Sequence, residues 1–265
     1  MEYQKFIPEG WNSTEELYTK ESIESAFENG KVMQGLVEGC DSNFNLHINL
    51  GNGITGIIPR NEIDAVNVDE YGLTKPSICK YKVNTLVQFK VKEIYSDTQI
   101  LLSRKQVGEE AIKWVINELK PGMIVKGIVR NIRKFGAFVE IGGGVVGLLH
   151  IEDISVSRIK TPEERFYIGQ KINVMIKSIE KENGKVILSY KELLGDWQEN
   201  IKDFKEKMIV SGIVKETDKY KNGIFIELKP NLVGLAEYKD GFYYGQKVKV
   251  LIKKIIEEKK KIKLI

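Results

Sequence analysis

Phe135, Phe138 and His150 are three rings set close together in a run of cations, "RNIRKFGAFVEIGGGVVGLLH". Read as a strand with period two, Ala137, Val139 and Ile141 share one apolar face, and Phe138 falls on the other with Glu140. Alternation expects water on that second face. A flat ring held there offers a stacking surface to an unpaired nucleobase, and such stacking tolerates any base sequence. Arg130, Arg133 and Lys134 stand beside the rings, where they would attract phosphate and make binding salt-dependent. Gly136 separates the two phenylalanines by an odd spacing. A bulge at that glycine is expected to bring both rings to one side.

Other chemistries find little support. His47 and His150 are the only histidines, and Cys40 and Cys79 do not form a CxxC pair, so neither a zinc site nor any other metal or cofactor is expected. No Ser/His/Asp set appears and the carboxylates are scattered, so an enzyme is not expected. "GNGITG" (51–56) and "GGGVVG" (142–147) satisfy a GxGxxG pattern, but each joins one apolar strand to the next instead of opening a helix. Both are read as hairpin turns.

The elements that must carry these residues come as repeats. "GMIVKGIVRNIRKFGAFVEIGGGVVGLLHIEDI" closing in "IGQKINVMIKSIEKENGKVILSYK" recurs as "KMIVSGIVKETDKYKNGIFIELKPNLVGLAEY" closing in "YGQKVKVLIKKIIEEKKKIKLI". A weaker copy comes first, "GKVMQGLVEGCDSNFNLHINLGNGITGIIPRNEI" and "VNTLVQFKVKEIYSDTQILLSRK". Each copy gives five short apolar-alternating segments, which suits a small barrel of the OB type. The fold expected is mainly β: three tandem five-stranded OB-type barrels joined by short α-helical spacers. The division runs 1–29 (N-terminal segment with a helix), 30–106, 107–119 (spacer), 120–191, 192–203 (spacer) and 204–265.

Between copies the period changes to that of a helix. "GEEAIKWVINELKPG" (108–122) places Ile112, Val115, Ile116 and Leu119 on one face, and "ELLGDWQENIKDFKEK" (192–207) does so with Trp197, Ile201 and Phe204. Trp114 and Trp197 are expected to pack against neighbouring barrels. "STEELYTKESIESAF" (13–27) offers Ser13 and Glu16 as a capping box. Neither an apolar window of about 18 residues nor a signal-peptide run is present, so no membrane span is expected. Net charge is +4, unevenly placed. Residues 120–191 hold thirteen Lys/Arg against seven acids, and 204–265 hold fifteen Lys against eight acids, so both blocks suit a polyanion partner.

Each repeat resembles the S1 RNA-binding domain, the OB-type module of bacterial ribosomal protein S1 that also occurs in polynucleotide phosphorylase. The second copy carries the likeness most fully, in "KGIVRNIRKFGAFVEIGGGVVGLLHIEDIS", "YIGQKINVMI" and "ENGKVILSYK". The resemblance implies that Phe135, Phe138 and His150 touch RNA, joined by a basic position late in the domain, for which Lys185 is the candidate. In the third copy Phe225 keeps the outward parity of Phe138, while Asn222 and Glu237 replace Phe135 and His150; Lys219, Lys221, Lys229 and Lys239 keep that surface positive. In the first copy Leu46, Ile48 and Leu50 read as inward and His47 as outward at the Phe138 position, with Phe44 at the Phe135 position and Pro59 at that of His150. The likeness further implies a cytoplasmic, monomeric, non-enzymatic binder of single-stranded messenger RNA near the small ribosomal subunit. A factor in RNA decay or transcription, or a protein-interaction adaptor, are the alternatives.

Overall fold

The computed structural model describes residues 4–12, 17–218 and 223–265. Among the described residues, fifteen strands form three closed five-stranded barrels of one topology. The first comprises β1 (Met33–Cys40), β2 (Leu46–Gly51), β3 (Ile54–Ile58), β4 (Leu86–Ile94) and β5 (Gln99–Ser103). The second comprises β6 (Ile124–Arg133), β7 (Gly136–Gly142), β8 (Val145–His150), β9 (Lys171–Glu180) and β10 (Lys185–Ser189). The third comprises β11 (Ile209–Asp218), β12 (Gly223–Lys229), β13 (Leu232–Glu237), β14 (Lys247–Ile256) and β15 (Lys261–Leu264). In each, three strands meander antiparallel, and the fifth pairs parallel with the third to close the barrel.

Alternation sets the interior. Leu46, Ile48 and Leu50 are fully buried in the first barrel, as are Ala137, Val139 and Ile141 in the second. Closure needs small residues where the third strand meets the fifth. A Cβ on Gly56, Gly147 or Gly234 would lie 2.3, 2.8 or 2.4 Å from Leu102, Leu188 or Leu264. The two GxGxxG stretches are hairpin turns between β2 and β3 and between β7 and β8.

The helices are α1 (Lys20–Glu28), α2 (Pro76–Tyr81), α3 (Lys105–Asn117) and α4 (Trp197–Ile201). The first interdomain helix therefore starts three residues before the expected 108 and ends before Leu119. Trp114 is buried on it against Phe6, with ring centroids 5.7 Å apart. The second shrinks to five residues, because Gly195 takes a left-handed φ of 77° and Asp196 then caps a new start. Trp197 and Phe204 nonetheless pack on the third core. α1 is capped by Thr19 with Ser22; Ser13 and Glu16 lie outside the described residues. Proline at its start marks α2, which the sequence reading did not anticipate. Among the described residues no helix is long and apolar enough to cross a membrane.

The N-terminal segment is a strap between the first two barrels. Phe6 enters the second barrel's core cluster, and the Gln4 side-chain amide bridges β7 and β6, donating to the Ile141 carbonyl at 2.7 Å and accepting from the Lys126 N–H at 2.8 Å. Glu9 is buried at the junction. Its carboxylate accepts from Arg104 Nε at 2.7 Å and Nη2 at 2.9 Å, from Lys82 Nζ at 2.9 Å and from the Gln88 N–H at 3.0 Å. Glu9's own N–H donates to Glu140 Oε1 at 2.8 Å. Burial, then the Glu9 carboxylate, pushes the Glu140 carboxyl above its ordinary range.

The second and third barrels meet through a second polar junction. Lys215, nearly sealed from solvent, donates to Glu164 at 2.8 Å, and Arg165 donates to Glu227 at 2.5 Å. Tyr244 donates to the other Glu164 oxygen at 2.5 Å. Burial alone would raise the Glu164 carboxyl, but hydrogen bonds from Lys215 and Tyr244 outweigh it and hold the pKa at about 2, against an ordinary 4.5. A depressed carboxyl stabilises fully above its unfolded value and loses that contribution as pH falls through its folded one. The junction should therefore weaken between about pH 4.5 and pH 2. Acid titration of the thermal midpoint checks this, and Glu164→Gln should flatten the dependence in that window.

Candidate nucleic-acid interface

The aromatic cluster is built by the β6–β7 hairpin. Arg133 pairs with Gly136, so Lys134 and Phe135 form a two-residue turn. Phe135 thus projects from the turn, half exposed, and meets Phe138 edge to face with centroids 6.0 Å apart. The expected bulge at Gly136 is absent. The register of β6 and β7 shifts instead between Val129 and Asn131, around Arg130. A turn residue is free of strand parity, which explains how both rings reach one side.

Gly136 serves packing rather than bulging. A Cβ there would lie 2.6 Å from the Leu149 carbonyl oxygen and 3.2 Å from the His150 Cα. Gly136→Ala is expected to push β7 from β8 and destabilise the second barrel by about 1–3 kcal/mol, read as a shift in its denaturation midpoint. His150 pairs with Gly136 across this close contact. Its Nδ1 accepts from the Glu152 N–H at 3.4 Å, which leaves Nε2 turned to other partners. Phe138 pairs with Leu148, and Leu148 with Ile187. All three are partly exposed, so they continue an apolar row across three strands.

The cations divide into two groups. Arg133 and Lys134 are exposed at the hairpin end. Arg130 is engaged internally: it pairs with the buried Glu140 and donates to the Glu9 carbonyl at 2.5 Å. Its guanidinium holds the strap while keeping part of its surface open to solvent, so a phosphate would have to share it with Glu140 and the Glu9 carbonyl. Lys185 is exposed on the outer face, 3.9 Å from Glu180. It lies two residues before Ile187, about 7 Å along the strand, at the end facing the first barrel.

Lys177 and Lys191 were missed by the sequence reading. Both clamp the buried Asp153, at 2.7 and 2.9 Å, and Asp153 ends the 3-10 turn that His150 caps. Burial would raise the Asp153 carboxyl, but hydrogen bonds from Lys177 and Lys191 outweigh it and keep it low. Lys177 and Lys191 thus offset Asp153 and the nearby Glu152, whose Oε2 stands 3.8 Å from His150 Nδ1. The echo of "LLSRK" in "ILSYK" is the signal that could have pointed to Lys191.

The other barrels carry different arrangements. In the first, Phe44 sits in the left-handed region at φ 64°, half-buried, with Arg60 5.3 Å and Lys80 5.7 Å from its ring centre. His47 lies 3.3 Å from Asp41. Pro59 caps the 3-10 turn that follows β3, as His150 does after β8. In the third, Phe225 is partly exposed on β12 and Glu237 is exposed opposite Gly223. Lys239 is exposed, whereas Lys229 is tied to Asp203 at 2.5 Å. Lys219, Lys221 and Asn222 lie outside the described residues.

A small ribosomal subunit protein bS1 from Staphylococcus saprophyticus is 32% identical over 189 residues, covering 69% of this chain and 46% of that protein. A 4-hydroxy-3-methylbut-2-enyl diphosphate reductase from Clostridium acetobutylicum is 33% identical over 229 residues, covering 80% of this chain and 34% of that protein. The chain therefore spans less than half the length of either relative. Among solved structures, GSP13 from Bacillus subtilis matches 29% of this chain and 58% of its own at 26% identity, with a TM-score of 0.28. The model of the S1 RNA binding domain matches residues 26–105 and 118–191, which together make up more than half of the sequence. The chain belongs to the S1 RNA binding domain family.

Proposed function

We propose that this protein binds single-stranded RNA as a monomer in the cytoplasm and holds messenger RNA near the small ribosomal subunit, in the manner of a ribosomal protein S1. One observation carries the reading: the half-exposed Phe135 ring set against Phe138, with His150 across the hairpin and Arg133, Lys134, Lys177 and Lys191 around them. Rings stack on bases and cations attract the backbone. The likeness to bS1 proteins supports the ribosomal role.

The first barrel favours a docking role. Its Phe44 is flanked by Arg60 and Lys80, and its His47 leans on Asp41, so these rings offer less free face to a base. The reductase likeness covers only a third of that protein. An alignment over 80% of this chain necessarily includes most of the S1-matched residues, so the shared part is accounted for by S1 repeats.

A duplex hides its base faces, so single strands should outcompete duplex RNA of the same length. A competition gel with labelled single-stranded oligonucleotide tests this, and equal competition by duplex would count against stacking. Gradient sedimentation of lysate should place the protein with the small ribosomal subunit. Recovery only in the free fractions would remove the ribosomal part of the proposal.

A further inference from the structure

We infer that the cleft between the second and third barrels is a further base-binding site, shared by both barrels, that takes one unstacked nucleobase of the same RNA strand; this rests on the RNA-binding reading above. The cleft holds a cavity of about 260 Å³. Phe225 of β12 forms one wall, and Val233 of β13 lies beside it. The other wall comes from the second barrel, as Val156, Ser157 and Arg158 of the connection that follows β8. That connection is pinned to the third barrel: the Val156 N–H donates to Asn231 Oδ1 at 3.0 Å and the Ser157 N–H to the Pro230 carbonyl at 2.9 Å. The slot therefore exists only because the two barrels dock.

Its chemistry suits a base. The Phe225 ring and the two valines give apolar contact to a flat ring. The Ser157 side chain is buried, yet its hydroxyl has no hydrogen-bond partner. A buried hydroxyl left unpaired is unfavourable, and a slight shift of the Val156–Arg158 connection would present it to a base edge or ribose hydroxyl in the cavity. Glu216 can accept from an exocyclic amino group, as carboxylates do from cytosine. Arg158 is exposed and bonded to Glu216 at 2.9 Å, so it can turn to a phosphate when a strand arrives. Lys215 also lines the cavity but is neutralised by Glu164 and Glu227.

The placement also fits one continuous strand. Arg158 follows His150 by eight residues, which bounds their Cα separation at about 28 Å. That bound keeps the cleft within the span of a few nucleotides from the His150 end of the aromatic cluster.

The test uses the full chain and two single-stranded RNAs. One is about 5 nucleotides long and the other about 16, near the two ends of OB-fold site sizes. Phe225→Ala and Arg158→Ala should each weaken the long RNA, Phe225→Ala by at least about 5-fold from the lost stacking, and should leave the short one unchanged. Phe138→Ala should weaken both. Unchanged long-RNA affinity in both cleft variants, with Phe138→Ala still weakening both lengths, overturns the cleft site and leaves the main reading standing. Indifference of both RNAs to Phe138→Ala would instead remove the main reading. If Phe225→Ala shows a lowered melting temperature, Arg158→Ala at its exposed position decides alone.

Discussion

Phe138→Ala should lower affinity for a single-stranded oligonucleotide by roughly 1–3 kcal/mol while leaving the far-ultraviolet circular dichroism native. The ring lies on the outer face of β7, between fully buried Ala137 and Val139, so its removal opens no space in the barrel core. It does remove the partner that Phe135 meets edge to face. Phe135→Ala should therefore act on the same base-stacking surface, and the double variant should lose less than the sum of the two singles. An isothermal titration in which Phe138→Ala binds as well as the parent, with native dichroism, would defeat the assignment of this face. Both titrations should be run at one salt concentration, because the phosphate contribution varies with ionic strength.

Glu9→Ala should destabilise the unit formed by the first two barrels by about 3–5 kcal/mol, a magnitude expected when one partner of a buried ion pair is removed. Glu9 is the acceptor for both Arg104 nitrogens, for Lys82 and for the Gln88 N–H. Without it, Arg104 keeps the Ile63 carbonyl at 2.9 Å and Asp64 at a distant 3.7 Å. An almost sealed guanidinium would then lack its bidentate partner. Hydrogen exchange at Gln88 and its neighbours on β4 should quicken markedly, and the denaturation midpoint of these barrels should fall. A midpoint unchanged within error would show that the strap does not hold the first two barrels together.

The barrels were legible in the sequence because alternation and glycine turns are local signals. Leu46, Ile48 and Leu50 point inward as period two demands, and Phe138 breaks that pattern on the outer face. The outward placement of the rings was legible in the sequence, and the partners of the cations were not. Arg130 reads as one more basic residue near an aromatic motif. Its partners are Glu140 across the strand pair and the Glu9 carbonyl, 121 positions away in sequence. No periodicity announces a contact of that range. Glu9 itself sits in a polar, acidic stretch that gives no sign of burial.

Asp153 was equally silent, because its importance comes from Lys177 and Lys191 on two other elements. Phe135 was right in place and wrong in mechanism. Strand parity was applied through Gly136, whereas the chain makes a tight turn there, which frees Phe135 from alternation. Helix ends were misplaced where a single glycine decided them, as at Gly195.

The most direct measurement is photocrosslinking of a single-stranded RNA carrying 4-thiouridine at successive positions, with the adducts mapped by mass spectrometry. Adducts are expected at Phe135, Phe138 and His150, and they should vanish when unlabelled single strand is added in excess. Crosslinks confined to other faces of the protein, with none between Lys134 and His150, would contradict the claim that these rings receive the bases.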